Sequence, residues 1–163
     1  MSPLMRMVPG LLVVAGLAAC TAPPVPKDQC YRLTAGAPAV TPVTRLDGVM
    51  MVDRPNADGV YSERALVLSR HSDRSMIEQY HYHYWAESPS AMLQQQIVDF
   101  LRKAGLARQV VTPELRIRND YALTSKLLRL ERITDGPTPR VALVMEFALH
   151  NYRDNKLLML ATY

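Results

Sequence analysis

Between Met76 and Trp85 the chain reads M-I-E-Q-Y-H-Y-H-Y-W, its densest run of side chains able to bind or react. His81 and His83 lie two apart, a spacing that two ligands of one zinc ion can use from a single strand face. No carboxylate or cysteine is placed beside them by sequence, and His71 and His150 are distant. No metal site is therefore expected, and the pair reads as a solvated face near Trp85. Tyr80, Tyr82 and Tyr84 alternate with the histidines. At the two-residue period of a strand the three phenols share one face, and His81, His83 and Trp85 share the other. Such a row has apolar bodies and polar tips, suited to half-burial under a helix or to contact with a partner. Tyr80, Tyr82, Tyr84 and Trp85 are the candidate partner-binding residues. For Trp85, packing under a helix is an equally good reading.

Other chemistry has less support. No G-x-S-x-G elbow occurs, and the seven glycines are scattered rather than gathered into a phosphate loop. No cofactor is expected, and the chain reads as a non-enzyme. The formal net charge is +4, too mild and too dispersed for a nucleic-acid-binding stripe. There are two cysteines. Cys30 has no motif around it, so a buried thiol at the start of a strand is expected, without a disulfide framework.

Cys20 carries a different chemistry. It directly follows Leu17-Ala18-Ala19, an apolar run from Val8 to Gly16, and one basic residue, Arg6. A positive start, a short apolar middle and small residues before a cut site describe a secretory signal. A cysteine at that point makes it a bacterial lipoprotein signal, with residues 1–19 removed and Cys20 lipidated. Spanning a bilayer takes about 20 apolar residues, and this run is shorter and interrupted by Pro9 and Gly10. Acyl chains, at about 0.8 kcal/mol per buried methylene, then anchor the protein. It is expected in the cell envelope, facing the periplasm. Thr21 rather than Asp follows the cysteine, which favours the outer membrane. T-A-P-P-V-P-K at residues 21–27 makes residues 20–28 an extended tether. Residues 29–163 remain for one domain.

Short strands are expected at Gln29–Thr34, within Thr44–Asp53 and at Ala65–Ser69, with a hairpin connection at 71–75 leading to the aromatic strand. Ser88-Pro89 opens a helix that Gly105 ends, with Ser88 as cap and Pro89 at the first position. Leu93, Ile97, Phe100, Leu101 and Ala104 form its apolar stripe, with Gln94 among the residues off it. Further strands fall at Gln109–Thr112, Tyr121–Ile133, Val141–Leu149 and Lys156–Tyr163. Apolar positions switch face near Leu127-Leu128, which predicts a bulge. Val141, Leu143, Met145, Phe147 and Leu149 share a face. The expected class is α+β: an antiparallel-rich sheet with one main helix packed on one face.

The lipobox, the proline spacer, Tyr31-Arg32-Leu33, and a strand ending in Trp85-Ala86-Glu87-Ser88-Pro89 before a helix together resemble the ABC-type transport auxiliary lipoproteins. That family accompanies MCE-domain transporters, which move lipids or other hydrophobic molecules between bacterial membranes. The resemblance covers most of residues 30–163 and implies an accessory subunit, neither ATPase nor permease. Its partners would be an MCE-domain protein and ABC transporter subunits, with the membrane reached through the lipid anchor. A homo-oligomer is left open, and nucleic acid is not expected. The resemblance also implies a further C-terminal helix, whereas this sequence stops at Tyr163 while still reading as strand. The last strand is then expected to be an exposed edge. A second reading is a lipid-binding protein with a pocket between helix and sheet, and a third is a metal protein centred on His81 and His83.

Overall fold

A computed structural model describes residues 24–36, 45–70, 72–73, 75–135 and 137–163. Cys20, the signal sequence and His71 lie outside the described residues.

The sheet is built on β7 (Tyr121–Thr134), whose 14 residues reach along the whole domain. On one edge β7 runs antiparallel to β8 (Arg140–Asn151), and β9 (Lys156–Thr162) adds antiparallel to β8. Its other edge takes three short strands in turn, all parallel: β2 (Leu46–Val52), β3 (Asn56–Ala57) and β4 (Ala65–Arg70). Two arms extend from there. β6 (Ala107–Val111) lies parallel outside β2. β5 (Ile77–Trp85) lies antiparallel outside β4, and β1 (Gln29–Tyr31) parallel outside β5.

The α+β class holds, but the antiparallel-rich sheet does not. Five of the eight pairings among the described residues are parallel, so the sheet is mixed. Side-chain alternation has the same period in both directions and does not report strand polarity. Turn residues mark the β4–β5, β7–β8 and β8–β9 hairpins, whereas β2 and β4 meet β7 only after the chain has passed through the helix. Such long crossovers make parallel pairs. The face switch in β7 is a real bulge, with the register slipping between Leu127 and Arg129.

The helix, α1 (Pro89–Ala104), has the limits that proline and glycine set. Pro89 occupies the first turn, where its missing N–H costs nothing. Gly105 adopts φ 64°, the left-handed cap that glycine tolerates best. Ser88 stands at the N-cap with extended backbone, but its side chain makes no capping bond. Its carbonyl accepts the N–H groups of Ala91 and Met92 at 3.0 and 3.2 Å.

Two clusters make the core. Met50, Val52, Val98, Leu101, Val110, Tyr121 and Leu123 fill the first, between α1 and strands β2, β6 and β7. Leu93, Leu127, Leu130 and Met145 form the second, with Trp85 packed against them. Gln94, expected off the apolar stripe, is buried and donates its amide to the Val52 carbonyl at 3.0 Å. That bond offsets the cost of removing an amide from water. Phe100, expected within the stripe, is 45% exposed.

Candidate functional site

The aromatic strand loses its regular alternation. Ala65 pairs with Tyr84, and Val67 pairs with Gln79, so β5 spends three more residues than β4 over the same stretch. The excess loops out between Gln79 and Tyr84, and a bulge of this kind re-aims side chains. Tyr80 consequently meets His83 edge-on at 5.0 Å. Tyr31 stacks on the same imidazole at 5.7 Å, its hydroxyl 2.8 Å from Nδ1. The Tyr80 hydroxyl accepts Arg132 Nη1 at 3.2 Å. The Tyr84 hydroxyl donates to the His81 carbonyl of its own strand. Tyr82, at 38% accessibility, is the exposed member of the four candidate residues.

The expected row of three phenols on one face is therefore absent, because the bulge divides it. Trp85 takes the packed alternative, half-buried against Leu93, Leu127, Leu130 and Met145. His83 is engaged by Tyr31 and Tyr80, and His81 is exposed. Among the described residues no group of three His, Cys, Asp or Glu is placed to hold a metal. Cys30, expected to be buried, is exposed. It lies on β1, which among the described residues pairs with β5 alone.

The structure brings together a different set of residues. A trough of about 410 Å³ runs beside α1. Leu93, Ile97 and Phe100 of the helix form one wall, and Leu143, Met145 and Phe147 of β8 the other, with Tyr163 at the margin. Leu33 to Ala35, the chain leaving β1, closes an end. This segment is pinned twice. The Tyr31 carbonyl accepts the Ala86 N–H at 2.7 Å, and the Ala35 N–H donates to Gln96 Oε1 at 2.8 Å. Tyr163 exchanges both backbone bonds with Met145 at 2.9 Å.

A smaller hollow of about 150 Å³ adjoins Trp85, with Leu66, Val67, Leu130 and Val141 in its walls. Arg132 and Arg140 also line it, and among the described residues neither is ion-paired. Its carboxylate, Glu131, is already committed. Glu131 accepts Ser69 Oγ at 2.7 Å and the Tyr61 hydroxyl, with Arg129 Nε at 3.6 Å. Burial and then the bond to Glu131 push the Tyr61 phenol up to about 12. The sequence names a pocket between helix and sheet without locating it. The usable signal is an excess: β8 alternates apolar from Val141 to Leu149, further than one helix can cover.

A second polar knot ties the domain's far end. Asp120 accepts the Val49 N–H at 2.8 Å through Oδ2 and Arg153 Nε at 2.8 Å through Oδ1. The Arg153 bond and then the Val49 N–H hold its carboxyl below the usual range. It joins β2, the start of β7 and the β8–β9 turn.

The family model for the ABC-type transport auxiliary lipoprotein component matches residues 31–162. The chain belongs to that family. An auxiliary lipoprotein of an ABC-type transport system is a lipid-anchored protein of the bacterial envelope. No curated protein matches the sequence. Among solved structures, protein XCC0632 from Xanthomonas campestris is similar at 20% identity and a TM-score of 0.66. That match covers 83% of this chain and 75% of the other. An uncharacterized protein matches at 13% identity and a TM-score of 0.63, over 85% of this chain and 78% of its own. At these identities the two structures support the fold of the auxiliary lipoprotein and nothing finer.

Proposed function

We propose that this auxiliary lipoprotein is a membrane-tethered docking subunit of an MCE-type ABC transporter for lipids or other hydrophobic molecules. It faces the periplasm from the outer membrane and performs no chemistry of its own. The observation that carries the reading is the β9 margin. Among the described residues β9 pairs with β8 alone, and Leu157, Leu160 and Tyr163 are 53%, 62% and 74% exposed along it. A strand edge with large apolar side chains is a template on which a partner strand can add. Tyr82 offers a separate exposed ring for contact.

The test is affinity purification of the full-length lipidated protein from solubilised native membranes, with Cys20→Ala as the anchor control. An MCE-domain protein or its permease is expected in the eluate. Leu160→Lys places a charge on the edge and should lower that recovery by about tenfold. Recovery of folded protein alone, in good yield, refutes the docking reading.

A further inference from the structure

The trough beside α1 and the hollow at Trp85 lie along one strand. Leu143 lines the first and Val141 the second, two residues apart on β8. From Val141 to Phe147 a strand rises about 20 Å. One leaflet of a bilayer's hydrocarbon core is about 15 Å deep, so the span of the two cavities matches an extended acyl chain of membrane-lipid length. The larger part alone, about 410 Å³, lies within the roughly 300–1,000 Å³ of ordinary ligand sites. Apart from Thr34 and Gln96, whose Oε1 is taken by the Ala35 N–H, its lining is aliphatic and aromatic, and no charged residue lines it. Charge enters only at the Val141 end, where Arg132 and Arg140 stand without ion-pair partners among the described residues while Glu131 is satisfied by Tyr61, Ser69 and Arg129. The path is mainly apolar along its length and cationic at one end.

We infer that this path binds a single-chain anionic amphiphile, with the acyl chain between α1 and β8 and the anionic head at Arg132 and Arg140. The carboxylate of a fatty acid and the phosphate of a lysophospholipid share the chemistry required, since guanidinium groups bond either in the same planar fork. The assignment rests on the transport reading above for its place in the cell. Ligand binding and subunit docking are nevertheless separate measurements that fail separately.

The chain holds a single tryptophan, and Trp85 lines the cationic end of the path. Full-length protein is reconstituted in neutral phosphatidylcholine vesicles, and dibromostearate is added as a heavy-atom quencher. Saturable quenching of Trp85 is expected, competed by stearate, by lysophosphatidylglycerol or by both. Which one competes identifies the source of the head group. A neutral monoacylglycerol should compete poorly. Arg132→Gln with Arg140→Gln should weaken binding roughly fivefold. Leu143→Glu or Phe100→Glu, each at an already exposed wall position, should abolish saturable quenching with the thermal midpoint unchanged. Quenching that does not saturate overturns the assignment. So does quenching that persists in both glutamate variants, or equal competition by the neutral lipid. Absent quenching in a preparation that still recovers the transporter removes the ligand site and leaves the docking reading standing; the converse result removes docking and keeps the site.

Discussion

Replacing Glu131 by alanine tests whether the carboxylate beneath the Trp85 hollow holds the β4 arm to β7. Glu131 is 5% exposed and is the acceptor for two hydroxyls from different elements, Ser69 on β4 and Tyr61 in the turn before it. Ser69 is itself 2% exposed and has no route to water. Its hydroxyl, left unpaired, costs about 1–3 kcal/mol. Tyr61 and Arg129 are partly exposed and can turn to solvent, so the lost Tyr61 bond adds roughly 0.5–1.5 kcal/mol. The expected destabilisation is about 2–4 kcal/mol at pH 7, which for a domain of this size lowers the melting temperature by ~10 °C. Urea unfolding followed by far-UV circular dichroism gives the free energy directly. Because the loss is traced to a stranded Ser69 hydroxyl, Ser69→Ala should recover roughly 1–3 kcal/mol in the Glu131→Ala background, while being destabilising alone. A Glu131→Ala loss under about 0.5 kcal/mol, within the range of an ordinary surface change, would refute the reasoning. So would strict additivity of the two substitutions.

Two further outcomes are expected. Gly48 has φ +149°, and a methyl group there would meet Asp120, with its Cγ at 2.9 Å, and Arg153 Nη2 at 2.8 Å; Gly48→Ala should cost about 1–3 kcal/mol in urea unfolding through backbone strain, and an unchanged midpoint would count against the Asp120 knot. In a spectrophotometric phenol titration Tyr61 should ionise late, near 12; since its folded value lies above the free phenol's 10, the stability it contributes is complete below pH 10 and lost as pH rises toward 12, and Tyr61→Phe should remove that late step.

The helix was legible because its ends are set by local chemistry: Pro89 can only begin it, and Gly105 supplies the left-handed residue that closes it. The bulge at Leu127 was legible because β7 is half-buried, so a change of face must appear in the order of apolar residues. The bulge in β5 left no such trace. Tyrosine and histidine are amphipathic, and alternation among them is the same whether the strand is paired or looped out. Gln94 was misplaced for a related reason: one long-range bond to Val52 makes its burial tolerable, and no local pattern encodes that bond. Strand polarity was hidden because parallel and antiparallel strands share one periodicity. Of the four candidate contact residues, Trp85 packs half-buried against the core, which sequence reasoning had held equal with a surface role. The trough is made by residues from three distant segments, and its walls read individually as ordinary core positions.

The reliance of three N-terminal strands on β7 orders events in time. β2 and β4 find their partners about sixty to seventy residues further along the chain, and closing loops of that length costs entropy before any pairing rewards it. Before the segment through Thr134 is available, the described strands can build the β1–β5–β4 arm and the β2–β6 pair under α1, with β7 still missing between the two arms. A polypeptide emerging from its amino end can therefore form two separate arms, which join when its central strand arrives. For an envelope protein threaded across a membrane from its amino end, that order leaves completion of the sheet to the far side.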